Sequence, residues 1–334
     1  MKVTLKQIAE RAGVSINTVS LALRDMPNVN PETRARICQI AGELGYFSLK
    51  SRREPAQNLC LISTGAHLQD SYFYMSFHQL ILGLAFEHGY HMMVFDNEHW
   101  DGDPQELRRH LSASSVSGIL ILGDMDEDLA ANVVSCGLPV VAVGSRYYSL
   151  RVCTFIEDNL EAAYLAVRHL YEHGCRRLGF IGDPLYSSAF LERYQGFRSA
   201  LLQFGLECDP AHLFLSARAD DEDISRTLRR SLSGAADLPD AFFSANDYLG
   251  TGAAKALHEL GFSVPDDISL VGVDNNPLGK MAIPSLTSID VHCRLQAELS
   301  ISKLISFVRG ADYEPLRFLV PTALAEGESV RRKA

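Results

Sequence analysis

A short stretch near the start of the chain, "AGVSINTVSLALRD", carries small polar side chains at helical spacing. Val14, Val19 and Leu23 recur on one side of a helix, so we expect them to face a core. The opposite side presents Ser15, Ile16, Asn17, Ser20 and Leu21, with Thr18 beside them. Hydroxyl groups suit phosphate oxygens, and an asparagine can pair with the edge of an adenine base. These residues predict contact with a DNA groove, while a plain amphipathic helix with surface Ser and Asn remains the alternative.

A second group of polar residues follows apolar, strand-like runs later in the chain. Asn246 lies in "SAND", Asp274 in "GVDN", and Arg193 in "RYQGF" beyond the run "RRLGFIGD". Open α/β sheets bind ligands at the carboxyl ends of their strands, and a guanidinium, an amide and a carboxylate together suit a small polyhydroxylated or heterocyclic molecule. Structural alternatives remain open. Arg193 could pair with Glu192 or Asp183 at a surface, Asn246 could cap a helix, and Asp274 could close a turn.

The elements that would position the second group form an α/β pattern. From residue 58 onward, amphipathic stretches alternate with apolar runs such as "NLCLIST", "GILILG", "PVVAVG" and "ISLVGVDN". The runs are apolar almost throughout, which is typical of parallel strands covered by helices on both faces. We therefore predict an α/β fold with doubly wound parallel sheets from residue 58 to residue 334.

The first 46 residues instead predict three helices and no strand. Thr4 and Gln7 have the spacing of a capping box, which opens a first helix that ends near Ala12. Gly13 fits a tight turn, Ser15 can cap the second helix, and "NPET" places Asn30 as the cap of a third. Two short helices joined by a tight turn can form a helix-turn-helix. The remaining residues, 47–57, form a basic linker that contains Pro55.

Charge and cysteine content narrow the function classes. Residues 1–55 carry nine Lys and Arg against five Asp and Glu, a net +4, whereas the whole chain carries −10. A polyanion is therefore attracted only to the first segment. The seven cysteines form no CxxC pair and predict reduced thiols rather than a disulfide framework. The polar start and the lack of a long apolar run predict a cytoplasmic protein, associated with the nucleoid if it binds DNA.

Markers of common enzyme classes are missing from the sequence. It contains no GxGxxG, GxxxxGK[ST], GxSxG or HExxH motif. His169 and His173 lie one helical turn apart but lack a third ligand, so we interpret them as ordinary histidines. Asp158 with Glu161 has the spacing of a helix cap. We expect no enzymatic activity, no catalytic residue, no metal and no cofactor.

The segment from Val3 to Tyr46 resembles the DNA-binding domain of the LacI/GalR family of bacterial transcription regulators. The most specific parts are "AGVS", "TVS", "PETR" and "LGY". The resemblance implies that four residues hold the phosphate backbone: Thr4, Ser20, Asn30 and Thr33. It also counts Tyr46 among the DNA-binding residues. It also implies that Ile16, Asn17 and Leu21 face base edges. Relatives commonly have Arg where this chain has Leu21, and leucine can pack against a thymine methyl but cannot make the guanine contact.

The linker departs from the family pattern as well. After Tyr46 the chain reads "FSLKSRREPAQN", which is about four residues shorter than the usual hinge and lacks its Ala-Arg pair. Leu49 could act as the wedge that the family inserts into the minor groove. A flexible basic tether is the alternative interpretation.

The rest of the chain resembles the family's effector-binding core, which is similar to periplasmic sugar-binding proteins. This resemblance implies that Arg193, Asn246 and Asp274 contact an effector, and Tyr74 in "DSYFYM" is a further candidate for stacking against it, with a core position as the alternative. The family's "IDR" motif is replaced at Gly144 and Ser145, so a sugar ligand is not assured. The predicted domains are a helix-turn-helix at 1–46, a linker at 47–57, and two lobes, with lobe 1 at about 58–160 and 290–320 and lobe 2 at about 161–289 and 321–334.

These observations predict a DNA-binding repressor controlled by a small molecule. A homodimer would present two helices to a pseudo-palindromic operator in double-stranded DNA, and an effector, such as a sugar or sugar derivative, would bind between the lobes. The alternative is a sugar-like receptor that no longer reads DNA. No membrane partner is expected.

Overall fold

The computed structural model describes residues 4–23, 29–43, 58–63, 72–96, 103–217, 221–232 and 238–332. It divides into two compact units, residues 1–57 and 58–334. Tyr46 and the whole linker, with Leu49, lie outside the described residues.

The first unit is helical over its described residues. Its helices are α1 (Leu5–Ala12), α2 (Ile16–Leu23) and α3 (Pro31–Glu43). The capping box at Thr4 is present, and Gly13 ends α1 in the left-handed conformation with φ 63°. That conformation favours glycine, so Gly13 permits the tight turn into α2. Ile8, Val19 and Ile37 are fully buried in the small core, and Arg36 ties α3 to α1 by donating to the Ala12 carbonyl at 3.0 Å.

The second unit contains two sheets flanked by helices. The first sheet is built from β1 (Asn58–Ser63), β2 (His91–Asp96), β3 (Val116–Leu122), β4 (Val140–Val143), β5 (Cys153–Glu157) and β11 (Arg317–Val320). Its strand order is β11-β5-β4-β3-β1-β2, and all of its pairings are parallel. Its helices are α4 (Tyr72–Glu87), α5 (Pro104–Ala113), α6 (Glu127–Val134) and α12 (Cys293–Val308).

The second sheet repeats this plan. It is built from β6 (Leu178–Ile181), β7 (Leu213–Phe214), β8 (Ala241–Ser244), β9 (Ser269–Val273), β10 (Thr287–Asp290) and β12 (Ala323–Ala325), in the order β12-β10-β9-β8-β6-β7. Only the edge strand β12 runs antiparallel to its neighbour among the described pairings. Its helices are α7 (Asn159–Glu172), α8 (Ser188–Gln203), α9 (Asp221–Leu232), α10 (Asp247–Glu259) and α11 (Pro277–Met281).

Alternation along β1 shows how each sheet is buried on both faces. Leu59 and Leu61 pack with α4 and α12, while Cys60 and Ile62 pack on the other face with α5 and α6. All four side chains are fully buried. Successive residues of a strand point to opposite faces, so a continuously apolar run is what a doubly covered sheet requires. The predicted α/β fold class with an N-terminal helical module is therefore confirmed.

The chain passes between the two sheets three times within its described part. These crossings follow Glu157 at the end of β5, Asp290 at the end of β10 and Val320 at the end of β11. Each sheet together with its helices forms one lobe. Ligand pockets occur preferentially at interfaces between such lobes, so the region between the two sheets is where we expect a binding cavity.

Candidate functional site

Helix α2 exposes most of the residues predicted to contact DNA. Val19 is fully buried, whereas Ser15, Ile16 and Asn17 are exposed and Thr18 and Ser20 are half-buried. Ile16 leaves 49% of its surface in solvent. The face of α2 that includes Ile16 and Asn17 is thus available for a partner.

Leu21 requires a correction. The sequence placed it on the exposed face of α2, but it is half-buried and packs against the small core of the helical unit. The reason is that α2 is flanked by both α1 and α3, so the buried stripe is wider than the spacing of Val14 and Val19 indicated. A base contact by Leu21 stays a prediction.

Three of the predicted DNA contacts are also helix caps. Ser15 Oγ accepts a hydrogen bond from the Thr18 backbone amide at 3.0 Å and lies 2.8 Å from Thr18 Oγ1. Thr4 Oγ1 accepts from the Gln7 amide, and Asn30 Oδ1 accepts from the Glu32 amide at 2.9 Å. Thr33 lies in the first turn of α3 and is half-buried. These side chains fix the starts of the three helices, and amides at helix starts are well placed for phosphate.

All four residues predicted to bind an effector line one cavity of about 250 Å³ between the lobes. They are Tyr74 on α4, Arg193 on α8, Asn246 before α10, and Asp274 after β9. They lie up to 200 positions apart in sequence, from 74 to 274, so the fold alone brings them together. The other lining residues are Phe73, Phe77, Leu122, Asp124, Gly144, Glu157, Tyr186, Ser187, Ala189, Phe190, Tyr248 and Gln296.

Arg193 is buried and held by a polar network. Its Nε donates to Asn159 Oδ1 at 2.8 Å, one terminal nitrogen donates to the Ala245 carbonyl at 2.7 Å, and the other donates to Glu157 Oε1 at 3.1 Å. The Arg193 side chain is only 5% exposed. The alternative in which it pairs with Glu192 or Asp183 at a surface is therefore wrong.

Asp274 has an unusual backbone and an unusual environment. Its φ is 111°, a conformation that L residues rarely adopt, and Asn275 follows with φ 50°. Such strain clusters at functional sites, where the surrounding structure maintains it. Burial raises the pKa of the Asp274 carboxyl well above its usual value, although the Arg193 guanidinium at 3.8 Å acts in the opposite direction.

Asn246 and Tyr74 each have a structural role and also line the cavity. Asn246 Oδ1 accepts from the Leu249 amide at 2.9 Å and so caps α10, yet Asn246 also lines the cavity. Tyr74 packs edge-on against Phe73, with ring centroids 5.2 Å apart, and contacts the core of the first lobe while lining the cavity. Burial raises the pKa of the Tyr74 phenol, which therefore acts as a neutral hydroxyl.

Two acidic lining residues were missed by the sequence reasoning. Glu157 ends β5, and Asp124 follows β3 with Gly123 between them. Both occupy the carboxyl end of a strand, which is the same signal that pointed to Asn246 and Asp274. Applied to the first sheet as well as the second, that signal would have found them.

Two polar contacts join the lobes at the cavity. Asp124 accepts hydrogen bonds from the Ser188 amide and hydroxyl at 2.8 and 2.9 Å, which places the start of α8 against the first lobe. Arg146 forms an ion pair with Glu192 on α8 at 2.7 Å. Burial raises the pKa of the Asp124 carboxyl, and the Ser188 hydrogen bonds offset part of that shift. The relative position of the lobes is thus coupled to groups that line the cavity or lie beside it.

Comparisons with known proteins match two separate parts of the chain. Residues 4–48 match the family of bacterial regulatory proteins named lacI, and residues 167–330 match a periplasmic binding protein-like domain. The repressor CytR of Escherichia coli strain K12 is 30% identical over 297 residues, covering 86% of this chain and 84% of CytR. The regulator NtdR of the NTD biosynthesis operon in Bacillus subtilis strain 168 is 29% identical over 336 residues, covering 98% of this chain and 99% of NtdR.

A solved structure is similar over nearly the whole length. The complex of the transcriptional regulator CelR with cellobiose superposes with a TM-score of 0.72 at 27% identity, covering 98% of this chain and 100% of that chain. The fold, the helical unit and these relatives define a DNA-binding transcription regulator with an effector-binding core. The chain belongs to the LacI family, as its sequence motifs predicted.

The relatives are named as regulators and not as enzymes, which points away from catalysis. Within the described residues, no helix is both long and apolar enough to cross a bilayer.

Proposed function

We propose that the protein is a repressor that binds a pseudo-palindromic operator as a homodimer and is controlled by a small molecule in the interlobe cavity. The observation that carries the proposal is the convergence of Tyr74, Arg193, Asn246 and Asp274 on one cavity lined by both lobes. A molecule bound there contacts both lobes, so its affinity depends on their arrangement. By linkage, the molecule then favours the arrangement it binds best.

DNA readout is assigned to α2. Asn17 is exposed, and Ile16 beside it offers an apolar surface for a thymine methyl. Thr4, Ser15, Asn30 and the adjacent helix starts serve the phosphate backbone, together with Thr18, Ser20, Thr33 and Tyr46. We infer from Leu21 that the operator lacks the guanine that an arginine would read at this position.

The homodimer is supported by an apolar surface on the second unit. Helices α4 and α12 pack side by side, and large apolar side chains on both remain exposed: Met75, Leu82, Phe86, Leu295 and Leu299. Phe86 leaves 73% of its surface in solvent. Large exposed apolar side chains on adjacent helices are typical of an interaction site, and we infer that a second copy of the chain covers them symmetrically. As a regulator of this type, the protein acts on the nucleoid in the cytoplasm.

Selection from a randomised DNA library by the purified full-length protein tests the proposal. The salt concentration is held fixed and moderate, because nonspecific phosphate binding rises steeply as salt falls. We expect an enriched sequence with two-fold symmetry and half-sites about one helical turn apart. A consensus identical to that of Arg-bearing relatives would defeat the inference about Leu21. No enrichment, with or without cavity ligands, would favour a receptor that does not read DNA.

A further inference from the structure

The charges that line the interlobe cavity do not balance. Among the described residues, the lining contains three carboxylates, Asp124, Glu157 and Asp274, and one guanidinium, that of Arg193. Fully ionised, these four groups would carry a formal charge of −2, and burial raises the pKa of the Asp124 and Asp274 carboxyls. Buried charges are costly unless they are paired, so an excess of this kind favours a ligand that brings positive charge.

Arg193 is already committed to the protein. Each of its three nitrogens donates a hydrogen bond to a protein oxygen, on Asn159, Ala245 or Glu157. The Arg193 guanidinium lies 3.1 Å from Glu157 Oε1 and 3.8 Å from Asp274 Oδ1, so its single positive charge is shared and Glu157 is the nearer partner. The guanidinium therefore organises the cavity wall and leaves the charge of the other carboxylates incompletely balanced.

Asp274 is the acceptor that remains open. Its side chain is only 7% exposed, and no hydrogen bond from a described residue lowers the pKa of its carboxyl, whereas the Arg193 guanidinium at 3.8 Å does. Asp124, by contrast, accepts two hydrogen bonds from Ser188. A buried carboxyl that lines a cavity in this way is a binding group for a ligand donor, and a positively charged donor such as an ammonium favours the ionised carboxylate and makes a strong, charge-assisted hydrogen bond to it.

Aromatic rings surround the same space. Six of them line the cavity: Phe73, Tyr74, Phe77, Tyr186, Phe190 and Tyr248. Ring faces attract cations, and desolvated pockets that combine aromatic rings with carboxylates recognise ammonium groups. A neutral polyol also stacks on such rings and donates to carboxylates, but it leaves the net charge of the cavity unchanged.

We propose that the effector is a small molecule with a protonated amine, whose ammonium group binds Asp274 in the cavity that these aromatic side chains line. The inference rests on the proposed function, because it names the ligand class of the same cavity. The volume of about 250 Å³ limits the bound part to a small molecule, such as a monosaccharide amine or a short aliphatic amine.

The test compares matched pairs of compounds on the full-length protein by isothermal calorimetry and thermal shift. Each pair holds the skeleton constant and changes the charge: glucosamine with glucose, galactosamine with galactose, and putrescine with 1,4-butanediol. We expect at least one amine to bind about tenfold or more tightly than its neutral partner, a difference of about 1.4 kcal/mol. The proposal is overturned if a neutral member binds as tightly as its amine, or if no amine binds at millimolar concentration.

Two amide variants locate the effect. Asp274→Asn keeps the shape of the side chain and removes its charge, so we expect it to abolish the preference for the amine. Asp312→Asn is the matched control, since Asp312 is exposed and lies in the loop after α12. An unchanged preference in Asp274→Asn would show that Asp274 is not the ammonium site.

The outcome is independent of the DNA experiment. An enriched operator that is released by a neutral sugar would leave the proposed function intact and remove the amine inference. Binding of an amine without an enriched operator would support the ligand class of the cavity and contradict the proposed function in DNA binding.

Discussion

The surface of α2 and the interlobe cavity are built in opposite ways. On α2 the predicted contacts fall within seven consecutive residues, 15–21, and their polar groups are exposed or serve as local caps. In the cavity the predicted contacts are far apart in sequence, and Arg193 and Asp274 are buried in a network of charges. Local spacing therefore determines the first site, whereas the packing of two lobes determines the second. We therefore expect substitutions in the cavity to reduce stability and the response to effector, and substitutions on α2 to reduce DNA binding.

Arg193→Ala should have the largest effect. The substitution leaves Glu157 and Asp274 buried without their cation, and removing one partner of a buried pair costs about 3–5 kcal/mol. We expect the free energy of unfolding of the second unit to fall by that amount, and the response to effector to be lost. Denaturant unfolding of the full-length protein measures the free energy of unfolding, and release of the operator by the effector measures the response. We expect DNA binding to be retained under conditions where the variant is folded.

Arg198→Ala is the matched control, because Arg198 lies on the same helix and is exposed. We expect a change within about 0.5 kcal/mol there. Equal, small losses in the free energy of unfolding for the two variants would show that the buried network of Arg193 does not stabilise the fold. Normal release of the operator by the effector in Arg193→Ala would place Arg193 outside the site.

The pH dependence of stability tests the same network without removing a side chain. Asp247 is fully buried beside Asp274, accepts hydrogen bonds from Ser288 Oγ and the Asn276 amide, and burial raises the pKa of its carboxyl from 3.8 to about 7. A raised carboxyl pKa favours the folded state at low pH, so this contribution is complete below about pH 4 and is lost as pH rises through about 7.

We expect the contribution of Asp247 to lower the stability of the second unit between those pH values. Asp247→Asn removes that component, so its stability should depend less on pH than that of the wild type in thermal unfolding followed from pH 4 to pH 7. Identical pH profiles for the two proteins would show that Asp247 ionises normally.

Asn17→Ala is the corresponding change on α2, and its effect should appear in DNA binding alone. Asn17 is exposed and makes no hydrogen bond to another described residue, so alanine leaves the helix intact. If Asn17 reads a base, binding to the selected operator should weaken by about 1–3 kcal/mol while binding to nonspecific DNA is unchanged. Titration of both DNAs at one salt concentration measures the difference. An equal loss on both would assign Asn17 to the phosphate backbone.

The same contrast explains what the sequence could predict. Caps at Thr4, Ser15 and Asn30 depend on residues two or three positions away, so short motifs are enough to place them. The continuous apolar run of β1 likewise predicts a strand covered on both faces. Leu21 was misplaced because its burial depends on α1 and α3, which the spacing within α2 does not describe.

The cavity was partly predictable for a related reason. Asn246 and Asp274 follow strands, and that position can be read from sequence. The partners of Arg193 could not be read, because Glu157 and Asn159 lie more than 30 positions away and meet it only where β5 leads into α7. The excess of carboxylates over cations in the cavity is likewise a property of the assembled lobes.

Ser15→Ala should have the smallest effect and separates the two roles that α2 combines. Loss of an N-cap costs about 1 kcal/mol, so the Thr18 amide, which donates to Ser15 Oγ, should exchange with solvent about fivefold faster in the full-length protein. Ser15→Asp supplies the matched control because aspartate also caps helices and should restore slow exchange. Its negative charge repels phosphate, however, so DNA affinity should fall further in Ser15→Asp than in Ser15→Ala. If both variants bind DNA equally, Ser15 only starts the helix, and the phosphate contact belongs to its neighbours.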